Sequence, residues 1–164
     1  LDGRAFFEHA RSHAAYLNPM VYARAYTLLV ALFFGGTTAL SFLAVPMLFA
    51  YMDAPQMAGA LAARYFAVQQ WFAVVGCAFA WVLLAGAGRA KLRVLNRRWP
   101  TMACWLLAAV VAAVNYFAVS PLIVNARASG GDLAFWHGMG SGLMLIQWIL
   151  ATVLAWRLLD LADA

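Results

Sequence analysis

The chain has 164 residues, 66% of them hydrophobic and 10% charged, with a formal net charge of +5. Soluble domains average about 45–50% apolar and about 25% charged residues, so this composition excludes an ordinary soluble globule and marks an integral membrane protein of a single transmembrane domain. The positive excess is accounted for by membrane topology, set out below, and does not imply a nucleic-acid partner.

The sequence opens at Leu1 rather than Met, so residues are expected to precede it, and no basic stretch leading into a short apolar signal segment is visible. Residues 2–17, DGRAFFEHARSHAAYL, place Phe6, Phe7, Ala10, Ala14 and Leu17 on one face of a helical wheel and Arg4, Glu8, Arg11 and Ser12 on the other, with Asn18-Pro19 as a stop. Residues 1–19 are therefore expected to form an amphipathic helix on the membrane surface, or one packed on a partner subunit. His9 and His13 have the spacing of two metal ligands on a helix, but no third ligand is near in sequence.

Residues 20–164 contain four apolar runs long enough to cross a bilayer, at 26–51, 65–88, 101–124 and 133–158. Strand-like alternation is absent, so helices are the only spanning solution. The expected fold is all-α: a four-transmembrane-helix bundle. Asp53-Ala-Pro55 separates the first two spans, Asn96-Arg-Arg-Trp-Pro100 precedes the third, and Ser129-Gly-Gly-Asp132 separates the last two.

The segment between the second and third spans carries Arg89, Lys91, Arg93, Arg97 and Arg98 with no acid. The positive-inside rule places it in the cytoplasm, where its charges can also meet anionic lipid headgroups. Both termini then fall on the same cytoplasmic side of a bacterial inner membrane, and only Arg64 and Arg127 lie outside. Trp99 and Trp156 would mark the inner interface, and Tyr51, Trp71 and Trp136 the outer one. No Asp, Glu, Lys or Arg falls in the middle of any span, so charge-based proton relays, voltage sensing and most ion-coupled transport have no candidate residue.

The fourth span opens FWHGMGSGL, residues 135–143. Gly138 and Gly142 make a small-xxx-small pair that lets a helix approach closely, and Gly35 and Gly36, with Ala31 and Ala39, give a similar strip on the first span. Ala73, Cys77 and Ala80 do so on the second. Close approach on these strips is expected to shelter His137, with Ser141, Met144 and Trp148 following it on the same side. Partners of similar depth are Gln69 and Gln70, placed at the outer head of the second span, and Ser120, with Asn115 deeper. Pro46 and Pro121 each free a backbone carbonyl near an outer helix end. These groups read as interhelical glue or as an outward-facing polar pocket. Haem would want a second axial ligand facing His137, and the other histidines lie across the membrane; a soft copper site could recruit Met47, Met52 or Met57. Cys77 and Cys104 show no disulfide or metal spacing. We find no phosphate-cradling loop, nucleophile–base pair or carboxylate pair, and expect no catalytic residue, resident cofactor or metal.

Three segments carry a family resemblance: FFGGTTALSFLAVPMLF, with Gly35-Gly36, Pro46 and Phe49; AGALAARYF, with Ala58-Gly59 and Phe66; and FAVSPLIVNAR…FWHGMGSGL, with Pro121 and His137-Gly138. Together they resemble the bacterial membrane family of unknown function related to eukaryotic transmembrane protein 205. The resemblance spans about residues 25–158 and implies four helices with an outward cluster around Pro46, Pro121 and His137. The chain departs from it where the family has a serine two residues after His-Gly, since Gly140 stands there and Ser141 is displaced. Asn115, Pro121 and Trp136 also resemble features of anthrone-oxygenase-like four-helix proteins, which would imply cofactor-independent oxygenation with Asn115 and His137 as polar groups. The expected function is a non-catalytic accessory or structural subunit of a larger membrane complex, in contact with lipid and other membrane subunits. The alternative is a small-molecule site in the outward pocket, oxygenase-like or transporting a metal or small solute.

Overall fold

The computed structural model describes residues 19–87 and 98–162, with side chains described over 21–85 and 99–158. The expected surface helix over 1–19 and the basic residues Arg89, Lys91, Arg93 and Arg97 lie outside the described residues, and Arg98 opens a helix. Apart from the short turns at 52–54 and 130–132, the described residues are helical, without a strand, and four helices are long and apolar enough to cross a membrane: Val21–Tyr51, Pro55–Ala85, Trp99–Ser129 and Leu133–Leu158. We call them spans 1 to 4. Each packs on the next in chain order and span 1 closes on span 4, giving an up-down four-helix ring.

Spans 1, 2 and 3 differ from the sequence expectation. Span 1 starts at Val21, five residues before Tyr26, in a helix that opens at Pro19. Span 2 starts at Pro55, ten residues before Tyr65, because Pro55 sits at the first helical position where its missing N–H costs nothing, and the N–H groups of Met57 and Ala58 both donate to the Ala54 carbonyl at 3.0 and 3.1 Å. Span 3 continues past Pro121 to Ser129. There Gly130, at φ +73°, reverses the chain, and the Gly131 N–H donates to the Ala126 carbonyl at 3.0 Å. The Asp132 carboxylate then caps span 4 by accepting from the Phe135 N–H at 2.9 Å.

Spans 1 and 3 share one design. Each runs as an α-helix, widens into a single π-helical stretch (Leu40–Ala44 and Asn115–Val119), and resumes α-helix with a proline, Pro46 or Pro121, in its first turn. A proline ring crowds the carbonyl four residues earlier, and a π turn makes room for it without breaking the helix. Shifted by 75 positions (46 to 121), the buried rows coincide: Tyr26 with Thr101, Val30 with Trp105, Phe33 with Ala108, and Thr37 with Ala112.

The main apolar core fills the half of the bundle between mid-span and the end joined by residues 88–97. Trp105 is its centre and is fully buried. Its ring stacks on Phe33 with centroids 5.0 Å apart, and its indole N–H donates to the Tyr26 hydroxyl at 3.3 Å. It fits because span 2 offers Gly76, where an added Cβ would lie 3.0 Å from the ring. Ala73, Cys77, Ala80, Ala108, Ala112 and Ala151 pack around it, so the small strip expected on span 2 does face the interior. Trp71 is not at an interface: it lies at the middle of span 2, exposed, with its ring edge-on to Tyr116 at 5.8 Å.

Trp105→Ala removes a side chain that reaches both span 1, at Tyr26 and Phe33, and span 2, at Gly76, and should lower the unfolding free energy in detergent by about 3–5 kcal/mol. Denaturant titration followed by helical circular dichroism measures it; a loss within error of zero would show the core is organised otherwise.

Candidate functional site

A layer of uncharged polar side chains crosses the bundle at mid-span. Thr37 on span 1, Gln69 and Gln70 on span 2, Asn115 on span 3 and Gln147 on span 4 are all buried, and each lies within one turn of the middle of its helix. The Gln69 amide donates from Nε2 to Gln147 Oε1 at 3.2 Å, tying span 2 to span 4 across the ring. One turn away, Gln70 Nε2 donates to Met144 Sδ at 2.9 Å. Asn115 Nδ2 donates to the Gly140 carbonyl at 3.4 Å, joining spans 3 and 4. Thr37 turns its hydroxyl back onto the Phe33 and Phe34 carbonyls at 2.7 and 3.0 Å, and Thr38 accepts from the Trp148 indole at 3.0 Å.

These bonds do not exhaust the layer. Four buried side-chain atoms among the described residues have no hydrogen-bond partner: Ser41 Oγ, Gln69 Oε1, Gln70 Oε1 and Gln147 Nε2. All fall in or beside this layer, and both π turns begin there. An unpaired amide atom in a dry interior costs about 1–3 kcal/mol, and π turns recur at functional sites. The layer is therefore the chemically distinctive place in the molecule. It holds no ionisable group: Asp53, Arg64, Arg127, Asp132 and His137 sit toward one end of the spans, Arg24 and Arg157 toward the other. No group of three His, Cys, Asp or Glu side chains that could hold a metal occurs among the described residues.

The structure brings together Gln69, Gln70 and Asn115 of the residues expected from sequence. Gln69 and Gln70 are mid-span rather than at an outer head, because the helix starts at Pro55. His137 does not face inward. It is exposed and has no hydrogen-bond partner among the described residues, and Ser141, one turn on, is exposed too. The expected shelter by Gly138 and Gly142 is absent: an added Cβ at either glycine, or at Gly35 or Gly36, would meet nothing within 4 Å. The row of span 4 that faces the bundle is Gly140, Met144, Gln147, Ala151 and Leu154. At Gly140 an added Cβ would lie 3.2 Å from Ile123 Cδ1 and 3.7 Å from Asn115 Oδ1. Pro46 and Pro121 are exposed and Ser120 is half-buried. Sequence reasoning missed Gln147 and Gly140. The signal was available: Gln147 is the amide nearest the middle of span 4, where a side chain facing lipid would be most costly.

Four membrane-length helices around an uncharged polar layer define a multi-pass integral membrane protein. The chain belongs to the family described as a domain of unknown function (DUF4149), which matches residues 28–132. That match takes in span 1 from residue 28 and all of spans 2 and 3, with both π turns, and stops short of His137-Gly138. It carries no link to transmembrane protein 205 or to anthrone oxygenases. Neither a curated protein nor a solved structure matches the chain.

Gly140→Leu should push span 4 off span 3 and cost about 1–3 kcal/mol, whereas His137→Ala should stay within about 0.5 kcal/mol of the parent and Gly138→Leu should be neutral or stabilising by up to about 1 kcal/mol. Thermal unfolding of the three variants in one detergent checks the order; equal losses would contradict the assigned faces.

Proposed function

We propose that the protein is a non-catalytic accessory or structural subunit of a larger complex in the bacterial inner membrane, seated with its termini and the segment 88–97 on the cytoplasmic side. The observation that carries this reading is the outward position of Gly35, Gly36, Gly138 and Gly142, each open within its own bundle. A glycine inside a helix costs roughly 0.5–1 kcal/mol relative to alanine. Within the single chain that cost has no return, because these positions admit a side chain without a clash. A neighbouring transmembrane helix recovers it by close backbone approach and van der Waals contact. The orientation is supported by the basic residues between spans 2 and 3.

A second reading, a small-molecule site serving oxygenation or small-solute or metal transport, is favoured by one observation, the unpartnered amide atoms at mid-span. That moves the candidate site from the outer pocket around His137 to the bundle centre.

The double substitution Gly35→Ile and Gly138→Ile should leave the detergent-solubilised bundle at least as stable as the parent and abolish co-purification of partner membrane subunits under mild detergent. Retained co-purification, or a parent protein that always runs alone, would contradict the subunit reading.

A further inference from the structure

The bond between Gln69 and Gln147 is half of what two facing amides can make. It uses one N–H of Gln69 and the carbonyl of Gln147, and leaves Gln69 Oε1 and Gln147 Nε2 open. Turning both amides over exchanges the labels and leaves the same complement, one acceptor and one donor. Gln70, the next residue on span 2, adds a second open acceptor, Oε1, while its Nε2 is engaged with Met144, one turn from Gln147 on the same face of span 4. All three glutamines are more than nine-tenths buried.

We propose that this layer binds one water molecule, which donates to Gln69 Oε1 and Gln70 Oε1 and accepts from Gln147 Nε2. Two donors and one acceptor are what the three open atoms require, and about three hydrogen bonds are what a buried water usually makes. The mixed polarity argues against an ion. A bare cation would meet the Gln147 NH2 group, an anion would meet two carbonyl oxygens, and no charged side chain among the described residues stands at this depth to compensate either one. The neighbours at the same level are small, Ala73 on span 2 and Ala112 on span 3, both fully buried. The π turn at Leu40–Ala44 carries the fourth open atom, Ser41 Oγ. The inference does not depend on the subunit reading, since it concerns the inner face of the bundle and not the outer glycines.

Water-edited solid-state NMR on protein 15N-labelled at its glutamine side chains and at its alanine backbone amides, in lipid bilayers, tests it. Gln56, exposed at the head of span 2, is the wet reference, and the backbone amides of Ala73 and Ala151, both fully buried, are the dry ones. The Gln147 side-chain NH2 should take up water magnetisation faster than the dry references and closer to the rate at Gln56, because a bridging water lies in direct hydrogen-bond contact with it. Pairwise labelling of Ile146 and Gln147 assigns the signal without any substitution, and Gln147→Met should remove it. Build-up at Gln147 as slow as at Ala73 and Ala151 would overturn the proposal. So would contacts from Gln147 only to non-exchangeable ligand protons.

Discussion

Apolar helices in a bilayer have little hydrophobic reason to prefer one another to lipid, so something else must choose their partners. Here the choice rests on uncharged amides at mid-span, above all the Gln69–Gln147 bond, backed by small residues that let the helices come close. A glutamine facing hydrocarbon at that depth would leave its amide unsolvated, so spans 2 and 4 must turn these residues inward. That single requirement fixes the rotation of both helices. Once Gln147 points in, Gly140, Met144, Ala151 and Leu154 follow at helical spacing, and Gly138, Gly142, Ser141 and His137 are carried outward. The Trp105 core then fills the remaining space on one side of the layer.

Much of this architecture is legible in the sequence. Four long apolar runs and their turn residues are enough to give the number of helices, and Asp132 and Gly130 serve as the cap and turn their types suggest. Depth and face were harder to read, for physical reasons. Residues 55–64 are rich in alanine and end in Arg64, so hydropathy stops near Tyr65, yet a helix needs no apolar surface to continue beyond hydrocarbon. Misplacing that start moves Gln69 and Gln70 by more than two turns. Span 4 is apolar on every side, so its hydrophobic pattern gives no phase, and the conspicuous His137 points to the wrong face. A histidine in the second turn of a helix lies close enough to the polar interface to stay exposed. The π turns were legible only as prolines: Pro46 and Pro121 announce disturbed carbonyls, but whether a helix kinks, ends or widens depends on packing.

Span 4 thus has two glycine surfaces with different work. Gly140 admits Asn115 and Ile123 from span 3 and belongs to the bundle. Gly138 and Gly142 are open to the outside and support the subunit reading, together with Gly35 and Gly36 on span 1. The inner surface supplies cohesion and a polar centre; in the proposed subunit role the outer surface is where another helix would pack. A family whose function is not known is matched across spans 1 to 3, so the repeated π turn and proline fall inside the shared region, whereas the outer glycines of span 4 fall beyond it.

The dependence of the bundle on its mid-span amides is tested most directly by a double-mutant cycle on Gln69 and Gln147, each changed to leucine singly and together, with unfolding free energies measured in one detergent. Each single change strands a buried amide and should cost about 1–3 kcal/mol. The double change should cost less than the two summed, leaving a favourable coupling of about 0.6–1.7 kcal/mol. Strictly additive losses, with no coupling between the two positions, would contradict the account.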